Sequence, residues 1–426
     1  LCLLGGTLFL PERVMFDFPV VPPLDKNAIA ALAAYVACLV ADSDTVLGPQ
    51  QSRATRWILI LLAINVIGTV VTNGDAMRFG PLVLPGMSAY DGLATFIRTS
   101  LYIALPFFLG QALFRTCEDL RELLSALVIG ALVYVPLVLL EARLSPIFHI
   151  KLYGFFQHSF AQSARDGGFR AFVFMSHGLT VAFFVSQSVT ASVSLGALRV
   201  RLLGFSSKLI TTVLVVALIS CKSLGAFLYA GTTAPLIWLT KARTQLRVAA
   251  YLAFAVLNYP LLRMFDWIST EWFLEQASRA SADRAQSLEY RFMNEGMLLT
   301  KAQERPYFGW GAWGRNLLYD PASGRDITVV DGEWIIQFGA AGAMGFLIVF
   351  GLLLSPVWRA RRAERRSALS AQDAQTLASV ALLLAFTGLD LIPNSTSHCV
   401  PFLLAGALTS VSSGLLAGSI TRTAAA

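Results

Sequence analysis

The residues best suited to chemistry lie in one long polar stretch, residues 265–332, of an otherwise apolar chain. Arg291 lies within a run of helically spaced apolar residues, and Arg305 follows that run directly before Pro306. Guanidinium groups bind phosphate oxygens in bidentate fashion, so several arginines held at one place favour an anionic ligand. The stretch therefore predicts a site for an anionic, sugar-bearing or lipid-linked molecule.

Two carboxylates and two tryptophans in the same stretch are further candidates. Asp331 and Glu333 stand just before an apolar run, where a partly desolvated carboxylate can act as a general base or simply cap a helix. Trp310 and Trp313 lie among Gly309, Gly311 and Gly314, a spacing that predicts a tight turn. The tryptophans either anchor the chain at a membrane interface or stack on a sugar ring. Both pairs of alternatives stay open.

The elements that must position these residues are membrane helices. The chain of 426 residues is 56% hydrophobic and only 14% charged, against about 25% charged in soluble domains. Continuous apolar runs favour helices over a barrel, so we predict an all-α polytopic membrane protein with about twelve transmembrane helices. The predicted spans are residues 1–10, 27–47, 57–73, 94–112, 122–142, 171–190, 209–221, 223–240, 248–264, 333–356, 375–392 and 400–418.

These spans divide the chain into residues 1–264 with nine helices, a loop of residues 265–332, and residues 333–426 with three helices. The short loops and tail on one side hold 16 lysines and arginines, against seven on the other, so the first side is predicted to be cytoplasmic. Both termini then lie in the cytoplasm and the long loop lies outside. Arg170 and Lys222 fall at the same outer boundary as Arg291 and Arg305, where basic residues should be scarce, and this favours a shared anionic ligand.

Several classes of function receive no support from the sequence. The net charge of +7 fits cytoplasmic loops rather than nucleic-acid binding. The five cysteines are scattered and show no metal or disulfide spacing. No nucleotide-binding or hydrolase motif and no metal-ligand pair is present, so no cofactor or metal is expected. Gly339, Gly342 and Gly345 favour a helix-packing surface. The chain begins at Leu1 rather than Met, so we expect further residues upstream.

The order of these features resembles the O-antigen ligase and O-antigen polymerase superfamily. The similarity covers about residues 165–350. It includes a segment from Arg170 to His177-Gly178, a Ser220–Ala226 turn containing Lys222, and Arg291 followed by Pro306 and the Gly309–Gly314 turn. It continues with Asp331-Gly332-Glu333 and the glycine-rich run that enters the next helix.

The resemblance implies an inverting, metal-independent membrane glycosyltransferase of the GT-C type in the bacterial inner membrane. Such an enzyme takes glycan from an undecaprenyl-diphosphate-linked oligosaccharide donor and transfers it to a glycan acceptor. Its partners include membrane lipid and other polysaccharide-assembly proteins. By position, Arg170, Lys222 and Arg291 would bind the diphosphate, with Arg305 as an addition.

The chain also departs from the pattern of the family. Lys222 replaces an arginine, and the long loop holds no histidine where the ligases have one. Asp331 or Glu333 stands at that place, which favours a polymerase for exopolysaccharide or O-antigen over a ligase. Two other functions stay open, a transporter or flippase for lipid-linked sugars and a non-catalytic assembly subunit.

Overall fold

The protein, as its computed structural model shows it, is mostly helical. The structure describes residues 2–18, 21–47, 53–165, 167–280, 282–396 and 398–424. Each of the twelve predicted apolar runs overlaps a helix. Among the described residues, six helical segments are long and apolar enough to cross a membrane, and four more apolar helices are shorter. The fold is therefore that of an all-α membrane protein, in which six of the described helical segments have full spanning length. The six are Ala89–Leu113, Cys117–Leu144, Gly178–Ala197, Ala242–Met264, Glu333–Arg366 and Val400–Gly418.

The helices follow one another with short connections. Before the long polar stretch they are α1 (Cys2–Phe9), α2 (Lys26–Ala41), α3 (Ser43–Leu47), α4 (Arg53–Thr72), α5 (Ala89–Thr99), α6 (Leu105–Leu113), α7 (Cys117–Leu144), α8 (Phe148–Tyr153), α9 (Gly178–Ala197), α10 (Ser207–Ser220), α11 (Leu224–Leu239) and α12 (Ala242–Met264). A π-helical turn, Ser100–Ala104, joins α5 to α6. The polar stretch contains α13 (Thr270–Ala280) and α14 (Ala282–Gln303), and α15 (Glu333–Arg366), α16 (Ala371–Asp390) and α17 (Val400–Ala424) follow it.

Strands occur in the described residues as three small antiparallel pairs in the loops. They are β1 (Phe16–Phe18) with β2 (Val21–Leu24), β3 (Met77–Phe79) with β4 (Leu82–Leu84), and β5 (Ala164–Arg165) with β6 (Gly168–Phe169). In the second pair Met77 lies opposite Leu84 and Phe79 opposite Leu82.

The core of the bundle surrounds α9 and α16. Residues 376–388 of α16 are all buried, and this helix packs against α12, α15, α9 and α7. At the periphery, α4 leaves large apolar side chains exposed, among them Ile67 at 62% and Val71 at 75%. An exposed apolar face of this kind suits contact with lipid.

The polar stretch is fixed to the bundle by α14. The sequence predicts an amphipathic helix ending before Pro306, and α14 ends at Gln303. On α14, Glu295 accepts a hydrogen bond from the Arg263 Nε atom at 2.7 Å and one from the Trp334 Nε1 atom at 3.2 Å. Because Arg263 and Trp334 belong to α12 and α15, this largely enclosed carboxylate joins three helices.

The helix α15 is broken at Gly342, which has φ 68° and ψ −171°. The turn of residues 306–311 enters this break. Trp310 N–H donates to the Gly339 carbonyl oxygen at 2.8 Å, and Ala343 N–H donates to the Pro306 carbonyl oxygen at 2.7 Å. Gly342 therefore receives a loop backbone, whereas its spacing predicted a surface for helix packing.

A ladder of polar side chains along α4 holds the same turn from its other side. Thr69 Oγ1 donates to the Phe308 carbonyl oxygen at 2.7 Å, and Asn73 Nδ2 donates to the Gly309 carbonyl oxygen at 2.9 Å. Asn65 Nδ2 donates to the Ala341 carbonyl oxygen, which is next to the break. The spacing of four residues places all three side chains on one helix face.

The predicted span of residues 171–190 is shifted in the structure. Helix α9 begins at Gly178, and residues 171–175 are buried but not helical. Glu141 near the end of α7 accepts hydrogen bonds from the Phe172 and Val173 N–H groups at 2.9 and 2.7 Å. A buried carboxylate thus accepts the hydrogen bonds that backbone carbonyl oxygens would accept if this segment were helical. Val173 adopts a positive φ of 50°.

Candidate functional site

Arg170 and Lys222, two of the predicted phosphate-binding residues, are neighbours. Arg170 is buried at 7% exposure, and its Nη2 atom donates to the Lys222 carbonyl oxygen at 3.3 Å. The Lys222 Nζ atom lies over Gly168, 2.6 Å from where a Cβ atom would stand. The turn between α10 and α11 and the segment before α9 therefore bring both cations to one place.

The backbone at Lys222 is strained. Its φ is 51°, in the left-handed region that L-residues other than asparagine and aspartate seldom adopt. Strain of this kind is typically retained where the surrounding structure and a function require it. The position of the lysine in a tight turn between two apolar helices agrees with the prediction.

His177 caps α9 beside these cations. Its Nδ1 atom accepts a hydrogen bond from the Leu179 N–H at 3.0 Å, and its Nε2 atom lies 3.2 Å from the Gln162 side-chain oxygen. The pKa of His177 falls to about 4, first because the imidazole is buried and then because His158, Arg170 and Arg291 oppose a further positive charge. Arg170 and Arg291 thus act on the same imidazole from different elements.

Arg291 lies on α14, within the long polar stretch. Its Nε atom lies 3.4 Å from the Asp331 carboxylate, and its Nη1 atom donates to the Pro393 carbonyl oxygen at 3.4 Å. About a third of each charged side chain is exposed, with 35% for Arg291 and 38% for Asp331. A long, partly exposed ion pair contributes little to stability, so a stronger anion can displace it at low cost.

Glu333 is the more enclosed of the two predicted carboxylates, at 7% exposure. It is the first residue of α15. Its two oxygens accept hydrogen bonds from the Gln337 Nε2 and Ser395 Oγ atoms, both at 2.7 Å. Helix α15 begins after Gly332 without a side-chain cap, so neither Asp331 nor Glu333 serves as the cap that was the alternative expectation.

A third carboxylate, Asp390, is bonded to the segment whose Pro393 carbonyl oxygen accepts a hydrogen bond from Arg291. It ends α16 and is buried at 3% exposure. Asn394 Nδ2 and Thr396 Oγ1 donate to its two oxygens at 2.8 and 2.6 Å. These bonds give the segment after α16 a defined backbone path past both Glu333 and Arg291.

A cavity of about 360 Å³ opens beside Arg291 and Asp331. Its walls come from α12, α14 and the start of α15, together with the segment after α16. Apart from the charged pair and Glu295, the lining is almost entirely apolar. The apolar lining residues include Leu288, Phe292, Leu298, Ile335 and Ile392. The cavity therefore places the Arg291–Asp331 ion pair beside a largely apolar groove.

Arg305 and Trp310 belong to a separate cluster. The Arg305 Nη2 atom lies 3.2 Å from Asp75, and its guanidinium stands 4.2 Å from the centre of the Trp310 ring. The Lys301 ammonium stands 3.9 Å from the same ring centre. Trp310 is 8% exposed and donates its indole N–H to the Lys301 carbonyl oxygen. These contacts hold the loop together and do not involve Arg170, Lys222 or Arg291.

Arg315 completes this second cluster from a buried position, with 1% of the residue exposed. It donates to the Pro85 carbonyl oxygen at 2.7 Å and to the Trp310 carbonyl oxygen at 3.2 Å. Trp313, by contrast, is 59% exposed and has φ 62°. Of the two predicted sugar-stacking tryptophans, only Trp313 presents its ring to solvent.

Three functional candidates were missed by the sequence reasoning. Asp390 ends α16 and Ser395 follows it. The sequence marks this place only by the run Pro393-Asn394-Ser395-Thr396. Glu141 was hidden because a single carboxylate near the end of an apolar helix is equally consistent with an interfacial position. Among the described residues, no group of three or more His, Cys, Asp or Glu side chains is arranged to hold a metal ion.

The fold and the site define a helical membrane protein with a cationic cluster and a buried carboxylate at one end of its bundle. Comparison of the chain with protein-family models finds no match. Comparison with curated proteins likewise finds none that is similar.

Proposed function

We propose that this protein is a membrane glycosyltransferase that polymerises glycan repeat units carried on undecaprenyl diphosphate. The observation that carries the proposal is the contact between Arg170 and Lys222, which come from separate parts of the chain, beside His177, whose imidazole also feels the charge of Arg291. Glu333 is linked to Arg291 through the segment of residues 393–395, where Arg291 donates to Pro393 and Ser395 donates to Glu333. This arrangement offers a binding place for a diphosphate and a carboxylate near it.

The cations would hold the diphosphate and stabilise it as it departs. Charge develops on the bridging oxygen when the bond from the sugar carbon breaks, and fixed cations in a water-poor site stabilise that charge strongly. The Arg291–Asp331 pair would open to admit the phosphate. The apolar cavity next to Arg291 would hold the first isoprenyl units of the lipid.

Glu333 is the better candidate for the general base. It would accept the proton of the acceptor hydroxyl as that oxygen attacks the sugar carbon, while the diphosphate leaves with the bonding electrons. In the structure the Ser395 hydroxyl donates to Glu333, which is the contact an acceptor hydroxyl would make. Asp331 would act on Arg291 instead, because it already pairs with that guanidinium.

The proposal gives Arg305 and Trp310 a role in holding the loop, because their contacts are made to each other and to Asp75. Trp313 remains the candidate for stacking on a sugar. The wider setting is twelve membrane crossings in a bacterial inner membrane, with this site on the outer face and both termini in the cytoplasm.

The test uses the purified full chain in detergent with undecaprenyl-diphosphate-linked oligosaccharides as donor and acceptor. Longer glycans are expected from the wild type. Arg291→Ala and Lys222→Ala should weaken donor use by about tenfold or more, since a hydrogen bond to a charged group contributes about 1.5–3 kcal/mol. Glu333→Gln should lower turnover by about 100-fold or more.

Arg279→Ala is the matched control. Arg279 is 66% exposed and pairs with Glu275 within α13, so its loss should leave activity unchanged. Full activity in all three site variants would rule out diphosphate binding by Arg291 and Lys222 and proton transfer by Glu333. Binding of undecaprenyl diphosphate, compared with undecaprenol, separates failure to hold the diphosphate from failure of the chemical step.

A flippase for the same lipids is the main alternative. Transporters commonly place substrate at broken helices near the bilayer midplane. The break in α15 is filled by the turn of residues 306–311, which favours the enzyme. Movement of labelled donor across vesicles without any new glycosidic bond would support the flippase. Transfer to a lipid core but not to another repeat unit would support a ligase.

A further inference from the structure

An open cavity of about 950 Å³ lies at the other end of the bundle, where α9 ends, α10 begins and α11 ends. Helix α9 starts at the cationic cluster with Gly178 and runs to Ala197, so at 1.5 Å per residue the two sites stand about 30 Å apart. Three basic residues line the cavity, Arg199, Arg201 and Lys208. No acidic residue of the described ranges lines it.

The charges of this cavity are not compensated. The chain contains no Asp or Glu between Asp166 and Asp266. Within the described part of the chain, Arg199, Arg201 and Lys208 take part in none of the ion pairs. Three cations beside one cavity without a carboxylate partner favour an anionic ligand.

The backbone holds these cations in a defined loop. Arg199 lies two residues after the end of α9 and has φ 59°. Its N–H donates to the Gly196 carbonyl oxygen at 3.0 Å. The next residue donates to the Leu195 carbonyl oxygen, and Ser207 Oγ donates back to the Val200 carbonyl oxygen at 2.9 Å. Ser206 caps α10, so the positive end of that helix also faces this region.

Apolar side chains surround the same cavity. Trp238 and Leu239 on α11 are 73% and 78% exposed, and Leu203 and Phe205 in the loop are 66% and 55% exposed. Leu202 and Phe205 form a tight bridge that presents this loop outward. Cations next to exposed tryptophan and aliphatic groups are typical of a membrane–water interface.

We propose that this cavity binds the phosphate headgroup of an anionic phospholipid such as phosphatidylglycerol. Arg199, Arg201 and Lys208 hold the phosphate. The hydroxyl groups of Thr211 and Thr212 also line the cavity, where they pair with Ser192 and with the Lys208 carbonyl oxygen. An acyl chain lies along Trp238 and Leu239. Basic pockets between membrane helices are known to accept anionic headgroups. The inference does not depend on the proposed enzymatic activity.

The test is quenching of tryptophan fluorescence by brominated phosphatidylglycerol, titrated into the full-length protein in detergent. Trp238→Phe identifies the part of the signal that comes from the cavity. Brominated phosphatidylglycerol should quench Trp238 at least about tenfold more effectively than brominated phosphatidylcholine. The triple variant R199Q/R201Q/K208Q should lose that preference, since each basic residue contributes separately.

A second triple variant, R362Q/R365Q/R366Q, is the charge-matched control. These residues are exposed at the end of α15, so their loss lowers the net charge equally and should leave the preference intact. Equal loss in both variants would overturn the proposal in favour of general attraction to a basic protein. If the triple variant unfolds, Lys208→Gln replaces it. That single variant should lose part of the preference for phosphatidylglycerol, and an unchanged preference would overturn the proposal.

Soluble phosphate provides the remaining arm of the test. Inorganic phosphate and glycerol phosphate at millimolar concentration should compete weakly, because they make no contact with the apolar rim. Full competition by either compound would identify a site for a soluble anion and would overturn the proposal of a lipid site. Phosphatidylglycerol that remains bound through purification, detected by native mass spectrometry, should decrease only in the cavity variant.

Discussion

Replacement of Gly342 by alanine should release the loop turn from α15. The Cβ atom of an alanine would lie 2.3 Å from the backbone carbon and oxygen of Tyr307. Backbone cannot rotate away as a flexible side chain can, so the turn must move. The backbone of Gly342, with φ 68° and ψ −171°, also lies in a region that is nearly restricted to glycine and costs other residues about 1–3 kcal/mol.

The magnitude follows from the bonds that the turn makes. Four backbone hydrogen bonds cross the break, at 2.7–3.3 Å, from Trp310, Gly311, Ala343 and Met344. At about 1 kcal/mol each, their loss weakens the docking of the turn by about 4 kcal/mol. That equals about a thousandfold increase in the open population of the turn, at 1.36 kcal/mol for each factor of ten.

Hydrogen exchange measured by mass spectrometry checks this prediction. Peptides covering residues 306–314 should lose about three orders of magnitude of protection in Gly342→Ala. Gly351→Ala is the matched control, since it is the same substitution in the same helix with no atom of the described residues within 4 Å of the new Cβ. Unchanged protection in Gly342→Ala, or an equal loss in both variants, would refute the reasoning.

Two further predictions concern the residues around the candidate site. Because the pKa of His177 lies near 4 in the folded protein and near 6.5 when unfolded, folding favours the neutral imidazole, and stability is lost as the pH falls from about 6.5 towards 4. A pKa lowered this far limits the stability lost at low pH to about 3 kcal/mol. His177→Asn keeps a capping side chain but cannot take up a proton. The melting temperature of this variant should match that of the wild type at pH 8 and exceed it at pH 5. An equal difference in melting temperature at both pH values would contradict this prediction. Glu141→Gln places an amide among the N–H groups of Phe172 and Val173. It should lower the free energy of unfolding by about 2–3 kcal/mol, as measured by thermal melting. The same substitution at the exposed Glu118 is the control and should leave the stability unchanged.

Much of the fold follows from hydropathy. The apolar runs coincide with helices, and α14 ends just before Pro306 as its spacing predicts. The glycines of the Gly309–Gly314 turn have positive φ, which is the conformation their identity predicts. These features depend on properties of a few consecutive residues, and for that reason the sequence alone is sufficient to place them.

Features that depend on distant partners were not predicted in the same way. Gly342 and Gly351 look alike in the sequence, yet only the first meets another backbone. Residues 171–175 are as apolar as a membrane helix, but the N–H groups of Phe172 and Val173 find their acceptor on α7. Trp310 was an equal candidate for a sugar platform and an anchor, and Lys301 and Arg305 occupy its faces.

The cationic cluster depends both on local sequence properties and on contacts between distant residues. Arg170, Lys222 and Arg291 were grouped by the side of the membrane on which each should lie, which is a coarse property. The positions of Arg170 and Arg291 depend on Glu141, which fixes the segment of Arg170, and on Glu295, which fixes the helix of Arg291. These two carboxylates, one buried and one largely enclosed, have no place in the proposed chemistry, yet they hold the cations that would perform it. Since a buried carboxylate is costly unless it is fully hydrogen-bonded, their presence is better explained by the positions they fix than by the stability they add.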